Sequence, residues 1–245
     1  MAEVQVGCCG FPVARESYYS TFKAVEVQQT FYQLPMMQTA QKWRKEAPEG
    51  FLFTLKAWQL ITHEATSPTY RRLKLKIAPE KEKNYGSFKP TDEVFAAWEA
   101  TRLFARNLKA EMVVFQCPAS FTPESRNKEN MVRFFRSLKR EGLSLIWEPR
   151  GQWRGEEIRE LCRELDLIHC VDALKNRPLY GRMRYFRLHG PAGYQSRYGA
   201  KDLQKILEIC HGEVYCFFNN SFMFEDAMRF LHLVEKGESR REERF

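Results

Sequence analysis

The 245-residue sequence contains no run of about 18 consecutive apolar residues, the length that a membrane-spanning helix needs. Its first residues also lack the basic-then-apolar layout of a secretory signal peptide. We therefore expect no membrane partner and a cytoplasmic location. With 44% hydrophobic, 14% aromatic and 29% charged residues, the composition is that of a folded protein able to bury a sizeable core.

Nucleotide-binding and metal-binding signatures are also missing. The segment GCCG is not the dinucleotide fingerprint GxGxxG, and no P-loop GxxxxGK[ST] occurs, so we expect no nucleotide cofactor. Five dispersed histidines are too few for a multi-zinc site. A weakly bound divalent metal such as Mg²⁺ stays open, because its oxygen ligands could come from carboxylates, here Glu26, Glu148 or Asp172.

The seven cysteines form no CxxC pair and no regular framework. Most of them lie within apolar segments, which favours small buried side chains in a reducing compartment. A nucleophilic role for Cys8 or Cys117 is the alternative.

Positive charge is in excess, with 39 Lys and Arg against 31 Asp and Glu and a formal net charge of +8. Seven of the basic residues fall between Asp172 and Asp202, where no acidic residue occurs. This distribution favours an anionic partner, either a small molecule or a nucleic acid. A solvated basic surface is the alternative explanation. The oligomeric state is left open.

Eight short apolar runs occur along the chain, with segments of helical periodicity between most of them. These segments are MQTAQKWRKEA, DEVFAAWEATRLFARNLK, KENMVRFFRSLKREG, RGEEIRELCRELD, AKDLQKILEICHG and SFMFEDAMRFLHLVEKG. The runs are VQVGCC, AVEVQQ, FLFTLK, EMVVFQC, LSLIWE, LIHCVDA, RYFRLHG and VYCFFNN. Regular alternation of strand and helix without a long linker indicates a parallel sheet with crossover helices. We predict an α/β fold, a (β/α)8 TIM barrel forming a single domain over residues 1–245, with a doubly wound open sheet as the alternative. An irregular insertion after the third strand, His63 to Pro90, is either a lid or disordered.

Polar side chains stand where nearly every predicted strand ends. In a parallel barrel these ends meet at one face, where the active site forms, so we expect the side chains to line a common cleft. The predicted catalytic residues are Glu26, Glu148, Asp172 and His189. The predicted substrate-binding residues are Thr30, Tyr32, Lys56, His63, Gln116, Arg150, Trp153, Arg187, Tyr198, Asn219 and Asn220.

Each of these residues also has a structural interpretation. Glu26 could belong to a buried ion network with Lys56 or Arg187. Glu148 and Arg150, two positions apart on an extended segment, point to the same side and could simply pair. Asp172 could cap the following segment, and the aromatic residues could cover the core.

Six segments, in chain order, resemble the sequence pattern of the YecE-like family, known as domain of unknown function 72 (DUF72). VEVQQTFYQLP resembles VEINSTFYRLP, FTLKAWQLITH resembles FxxKAPxxITH, and FQCPASF resembles LQLPPSF. WEPRGQW, YFRLHG and YCFFNNSFMFEDAMRF resemble VEFRHPSW, YVRLHG and VYFNNxxxGxAxxNA. The resemblance implies a single TIM-barrel domain and marks nearly the same strand-end residues, but it implies no reaction.

Two departures from the family pattern affect the chemistry. GCCGF stands where the family tends to GTSGW, so Cys8 and Cys9 replace small hydroxyl residues. Gly151 stands where the family has the histidine of RHPSW, so a mechanism that uses that histidine is doubtful in this chain.

Four functions are compatible with these residues. The favoured one is an enzyme, a hydrolase or lyase, that acts on a phosphorylated or otherwise anionic substrate. Arginine and lysine would bind the anion, Glu26 or Glu148 with His189 would transfer protons, and the asparagines would stabilise an oxyanion. The alternatives are a nucleic-acid-binding or endonuclease-like protein that uses the basic rim, a glycoside hydrolase that uses Glu26 and Glu148, and a non-catalytic binding module.

Overall fold

The computed structural model describes residues 3–242, and within them eight parallel strands close into one barrel in sequence order. The strands are β1 Glu3–Cys9, β2 Ala24–Val27, β3 Leu52–Lys56, β4 Met112–Gln116, β5 Ser144–Glu148, β6 Ile168–Val171, β7 Arg184–Leu188 and β8 Glu213–Phe218. Each strand pairs with its sequence neighbours, and β1 closes the barrel against β8. The predicted TIM barrel is therefore confirmed, and the open-sheet alternative is wrong.

Helices cover the outside of the barrel. They are α1 Arg15–Thr21, α2 Gln29–Tyr32, α3 Met37–Glu46, α4 Gln59–Thr62, α5 Asp92–Leu108, α6 Ser125–Ser137, α7 Gly155–Glu164, α8 Ala200–Glu208 and α9 Met223–Glu242. The most amphipathic of these segments were predicted, whereas α1, α2 and α4 were not. None of the helices within residues 3–242 combines the length and hydrophobicity that crossing a bilayer requires.

The β6–β7 connection departs from the predicted alternation, because residues 172–183 contain no helix. Pro178 lacks an N–H for a helical hydrogen bond, and Gly181 adopts a φ of +132° that no helix allows. The connection therefore stays a loop, and it carries Lys175 and Arg177 beside the end of β6.

The insertion after β3 is ordered against the barrel. It contains two 3₁₀-helices, Pro68–Arg72 and Pro79–Asn84. Near its end, the N–H groups of Gly86 and Phe88 donate to the carbonyl oxygens of Leu60 and Ile61, both at 2.9 Å. Phe88 is fully buried among four other phenylalanines, Phe115, Phe121, Phe134 and Phe135. Of the two outcomes considered from the sequence, disorder is therefore wrong.

The barrel interior is apolar at its base and charged at its carboxyl end. Because side chains alternate along a strand, Tyr185 and Arg187 on β7 point to the same side, as do Ile146 and Glu148 on β5. The lower layers join an interior cluster formed by Ala24, Leu52, Met112, Val114, Ile146, Ile168, Cys170, Met183, Tyr185, Tyr215 and Phe217, with Cys9 near the top. The topmost interior layer carries the charged side chains.

All seven cysteines are buried and unpaired, as predicted. Burial raises the pKa of Cys8 to about 12 and also raises the pKa of Cys117. Neither thiol is in an environment that favours a reactive thiolate.

Candidate functional site

A cavity of about 1160 Å³ opens at the carboxyl ends of the strands. Ten of the predicted site residues line it: Tyr32, Lys56, Gln116, Glu148, Arg150, Trp153, Asp172, Arg187, His189 and Asn219. These residues come from the ends of β3, β4, β5 and β7 and from the segments that follow β2, β5, β6, β7 and β8. The structure therefore brings together side chains that are far apart in sequence.

Arg187 forms the floor of the cavity and is fully buried. Its Nε atom lies 3.0 and 3.1 Å from the two carboxylate oxygens of Glu26, and its Nη1 donates to Glu148. Weaker contacts at 3.4 Å join Nη1 to Gln116 Oε1 and Nη2 to Gln28 Oε1. One guanidinium thus connects four strands or strand ends and is shared by two buried carboxylates.

Glu26 lies below the cavity and does not line it. It is 0% exposed, and its oxygens accept hydrogen bonds from Tyr185 Oη at 2.7 Å, from Arg187 and from Gln28. Glu26 therefore has no access to the cavity in this geometry, and its contacts are those of the ion-network alternative. A retaining or inverting pair would need both carboxyl groups at the cavity, whereas Glu26 lies beneath it and shares Arg187 with Glu148.

Glu148 faces the cavity from the end of β5. Its Oε1 accepts from Arg150 Nε at 3.0 Å and Nη2 at 2.9 Å, while Oε2 accepts from Arg187. Burial alone would raise the pKa of Glu148, but Arg187 and Arg150 outweigh it and lower the pKa to about 2. Glu148 is thus ionised at neutral pH and too weak a base for efficient proton abstraction, and it serves to hold two arginines in place.

His189 and Asp172 form a second group on the cavity wall. The backbone N–H of His189 donates to Asp172 Oδ2 at 3.2 Å, and His189 Nδ1 lies 3.7 Å from the same oxygen. On the opposite edge of the ring, His189 Nε2 lies 2.7 Å from Arg150 Nη2. Since a guanidinium can only donate, Nε2 accepts in this arrangement and the ring proton resides on Nδ1, facing Asp172.

Asp172 makes the local capping contact considered from the sequence and also contacts His189. Its Oδ1 accepts from the N–H of Leu174 at 3.2 Å, which is a local turn interaction, and Lys175 Nζ lies 3.5 Å from Oδ2. Burial opposes ionisation, but hydrogen bonds from His189 and the charge of Lys175 lower the pKa of Asp172 overall. The carboxylate therefore stays charged beside the imidazole.

Lys56 ends β3 and reaches the cavity with 6% of its surface exposed. Its Nζ lies 3.5 Å from the centroid of the Phe31 ring. Burial and then the charge of Arg187 lower the pKa of Lys56 to about 7, against the opposing effect of Glu148 and Glu26. The neutral amine is therefore much more accessible to Lys56 than to an exposed lysine.

Four further predicted binding residues lie outside the cavity lining and make internal contacts. The hydroxyl of Thr30 lies 2.6 Å from the Lys56 carbonyl oxygen, and Tyr198 Oη accepts from the Gly190 N–H at 2.8 Å. The Asn220 amide donates to Ser196 O and to Asp226, both at 2.8 Å. His63 is buried against Thr62 and Phe31, and burial lowers its pKa to about 3. In this geometry none of the four residues lines the cavity, and their contacts support the loops around it.

Trp153 lines the cavity with its ring while its indole N–H donates to the Phe121 carbonyl oxygen at 2.8 Å. The same oxygen explains why position 151 is a glycine, because a Cβ atom added there would lie 2.3 Å from Phe121 O. The close approach of the β4–α6 loop thus occupies the space that the histidine of the family pattern would need.

Several cavity residues were missing from the predicted site, namely Cys9, Gln28, Arg72, Lys175, Arg177 and Tyr194. Arg72 belongs to the insertion, and its guanidinium carbon lies 3.5 Å from the centroid of the Tyr32 ring. Tyr194 is 57% exposed at the rim. The basic runs that contain Arg72, Lys175 and Arg177 were visible in the sequence, but nothing in them shows which members turn towards the cavity.

Within residues 3–242, no group of three or more His, Cys, Asp or Glu side chains is arranged to hold a metal ion. Of the three carboxylates considered for Mg²⁺, Glu26 and Glu148 both bind the guanidinium of Arg187. They cannot jointly ligate a cation while Arg187 occupies that position.

The sequence matches the profile of the family described as "Protein of unknown function DUF72" over residues 14–244. The chain belongs to the DUF72 family. A search of curated proteins gives no significant match. The family assignment agrees with the resemblance seen in the sequence motifs.

Solved structures of DUF72 proteins have the same fold. A DUF72 protein from Thermotoga maritima is 20% identical and superposes with a TM-score of 0.68, covering 95% of this chain and 99% of the other. A DUF72 protein from Enterococcus faecalis is 15% identical with a TM-score of 0.68, covering 95% and 96%. A xylose isomerase domain containing protein from Salmonella typhimurium is 12% identical with a TM-score of 0.58, covering 90% and 91%. At these identities the similarity establishes the TIM-barrel fold.

Proposed function

We propose that this DUF72 protein is an enzyme that binds a small anionic substrate, a phosphate ester or a carboxylate, in the cavity at the carboxyl end of the barrel. The observation that carries the proposal is the charge of the cavity wall. Six lysine and arginine side chains line it, Lys56, Arg72, Arg150, Lys175, Arg177 and Arg187, against two carboxylates, Glu148 and Asp172.

The two carboxylates are already matched by cations. Glu148 is bound by Arg187 and Arg150, and Asp172 by Lys175 and His189. Arg72 and Arg177 therefore add positive charge that no carboxylate of the cavity neutralises. A concave, low-dielectric site with such an excess concentrates anions, and the planar fork of arginine suits phosphate and carboxylate oxygens.

Arg150 is the best placed residue to contact the anion. Its side chain is 40% exposed, and it is held from below by Glu148 and from the side by His189. A guanidinium whose rotamer is fixed in this way loses little conformational freedom when a ligand binds.

His189 is the proposed proton-transfer group. Its ring lines the cavity, Asp172 orients its Nδ1 edge, and Nε2 can accept a proton once Arg150 turns to a ligand. This arrangement, a base oriented by a third group, is the one that general acid–base catalysis uses. It replaces the role that the sequence had indicated for Glu26 and Glu148.

The test of binding is a thermal-shift screen of phosphorylated and carboxylated metabolites, with inorganic phosphate as the minimal probe. A ligand that binds the native state raises Tm by mass action. Arg150→Gln should abolish the shift, with an affinity loss of roughly ten- to a hundredfold for one charged hydrogen bond of about 1.5–3 kcal/mol. Arg136→Gln on the outer face of α6 is the matched control and should retain it.

Turnover of the ligand found in this way is followed by NMR. His189→Gln should retain the thermal shift and lose turnover by about 10²–10⁴-fold. A shift that is equal for Arg150→Gln and the parent protein would contradict the proposal. Preferential binding of single-stranded or duplex oligonucleotides, with affinity falling steeply as salt rises, would assign the same basic cavity to nucleic acid instead.

A further inference from the structure

Lys56 is unusual among the buried cations of this protein because its ammonium group has no hydrogen-bond or ion-pair partner among the described residues. Among these residues, the nitrogen instead lies over the face of the Phe31 ring. Buried charged groups are normally paired, since an unpaired one costs free energy. Arg187, on the same cavity floor, illustrates the rule with two carboxylate partners.

Lys89 provides a direct comparison. Its side chain is also mostly buried, but its Nζ donates to the carbonyl oxygens of Lys83 at 2.9 Å and Tyr85 at 3.1 Å, and it lies 3.1 Å from a carboxylate oxygen of Glu64. Every donor site of Lys89 is therefore used in its charged form. The nitrogen of Lys56, in contrast, is open to the cavity and retains no such partners.

The surroundings of Lys56 favour the neutral amine. The stem is enclosed at the top of β3, and the positive charges of Arg187 and Arg150 are both close enough to disfavour a further positive charge. The carboxylates Glu148 and Glu26 act in the other direction, but they are already paired with Arg187 and Arg150. A lysine that is desolvated beside another cation is the known way in which a protein produces a nucleophilic amine.

We propose that Lys56 forms a covalent imine with the carbonyl carbon of an anionic aldehyde or ketone held in the cavity. The inference rests on the proposed function, since the arginines would bind the phosphate or carboxylate of the same molecule. It specifies the substrate class as a carbonyl compound and gives Lys56 a catalytic role in place of anion binding.

The step is a condensation without oxidation or reduction. The lone pair of the Lys56 nitrogen forms a C–N bond while the carbonyl π electrons move to oxygen. The nitrogen then loses one proton and the oxygen gains one, which gives a carbinolamine. A second proton converts the hydroxyl into a leaving water molecule, the C–O bond breaks, and the nitrogen lone pair forms the C=N bond of a protonated imine. The ring face of Phe31, 3.5 Å from Nζ, is placed to stabilise that positive charge.

The experiment is reductive trapping on the full chain with two anionic aldehydes, glyoxylate and pyridoxal 5′-phosphate, in the presence of cyanoborohydride. The reductant converts an imine into a stable secondary amine, which peptide mapping by mass spectrometry locates. We expect Lys56 to be the first lysine modified and Lys89 to stay unmodified. The modification rate should reach half its maximum near pH 7 and should then level off.

Pyridoxal, which lacks the phosphate, is the matched probe and should modify Lys56 more slowly than its phosphate ester. Equal rates would overturn the anionic substrate class. Modification of exposed lysines with none at Lys56, by both anionic aldehydes, would overturn the imine.

Inorganic phosphate separates this result from the proposed function. A phosphate-induced thermal shift that depends on Arg150, together with no trapping at Lys56, would remove the imine and leave anion binding intact. Absence of the phosphate-induced thermal shift together with absence of trapping at Lys56 would overturn both the proposed function and the imine. Lys56→Met should abolish trapping at position 56 in a protein that unfolds cooperatively.

Discussion

Arg187 Nε is shared between the two carboxylate oxygens of Glu26, at 3.0 and 3.1 Å, in a position where neither residue reaches solvent. The two residues are 161 positions apart, on β7 and β2. The pair fixes opposite sides of the barrel relative to each other and presents the remaining nitrogen atoms of the guanidinium to Glu148, Gln116 and Gln28.

Glu26→Gln should therefore destabilise the protein by about 3–5 kcal/mol, because it removes one of the two carboxylates that pair with the buried Arg187 guanidinium. The measurement is urea unfolding at neutral pH, with the midpoint decreasing and the slope unchanged. Glu46→Gln is the control, since it breaks a surface pair with Arg15 and should change the midpoint little. A Glu26→Gln midpoint equal to that of the parent would contradict the structural role.

Glu148→Gln should destabilise the protein in a pH-dependent way. The folded pKa is lowered from 4.5 to about 2, so the carboxylate contributes stability above pH 4.5 that is lost as the pH falls towards 2. A shift of this size corresponds to about 3 kcal/mol at neutral pH. Thermal unfolding between pH 7 and pH 3 should show the variant and parent converging on acidification. A constant difference across that range would disprove the assignment.

Lys56→Met should stabilise the protein at neutral pH. The folded pKa of Lys56 is lowered from 10.5 to about 7, so the unfolded chain binds more protons between these values and the lysine costs stability at and below neutral pH. The upper bound of the gain is about 5 kcal/mol. The gain should shrink as the pH rises from 7 towards 10.5, above which the lysine of the parent becomes neutral in both states. Chemical denaturation at pH 7 and pH 9.5 measures it, and a variant less stable than the parent at pH 7 would contradict the unpaired burial of Lys56.

Gly151→His, which restores the family pattern, should destabilise rather than improve the protein. A Cβ at this position would lie 2.3 Å from Phe121 O, so the loop that accepts the Trp153 indole N–H has to move. Overpacking of this kind costs about 1–3 kcal/mol. Gly50→His is a control at a glycine with no atom within 4 Å of the added Cβ, although its φ of +71° adds backbone strain. A Gly151→His protein with unchanged Tm would show that the β4–α6 loop is adaptable.

The fold was predictable because eight strands that are buried on both faces leave eight continuous apolar runs, and this signal depends on local sequence alone. The location of the site was predictable for a related reason: parallel strands all end at the same face. Lys56, Glu148 and Arg187 are strand-terminal residues, and their alternation with apolar interior neighbours directs them into the barrel.

The sequence did not show how deeply each polar side chain lies relative to the cavity. Glu26 and Arg187 look alike in the sequence as charged residues near strand ends, yet Glu26 is sealed below a guanidinium that comes from the other side of the barrel. Thr30, Tyr198 and Asn220 lie beyond the strands, where the path of the loop decides whether a polar atom meets a ligand or a backbone group. Such contacts join residues distant in sequence and depend on tertiary packing.

The 2.7 Å contact between Arg150 and His189 limits which charge states can coexist at the cavity wall. An imidazole that has taken up a second proton offers Arg150 a donor instead of an acceptor, and two donors at that separation repel. Arrival of a proton on His189 would therefore displace the guanidinium, and an anion that draws the guanidinium away would vacate Nε2. Binding of an anion to Arg150 and protonation of His189 at Nε2 would therefore favour each other.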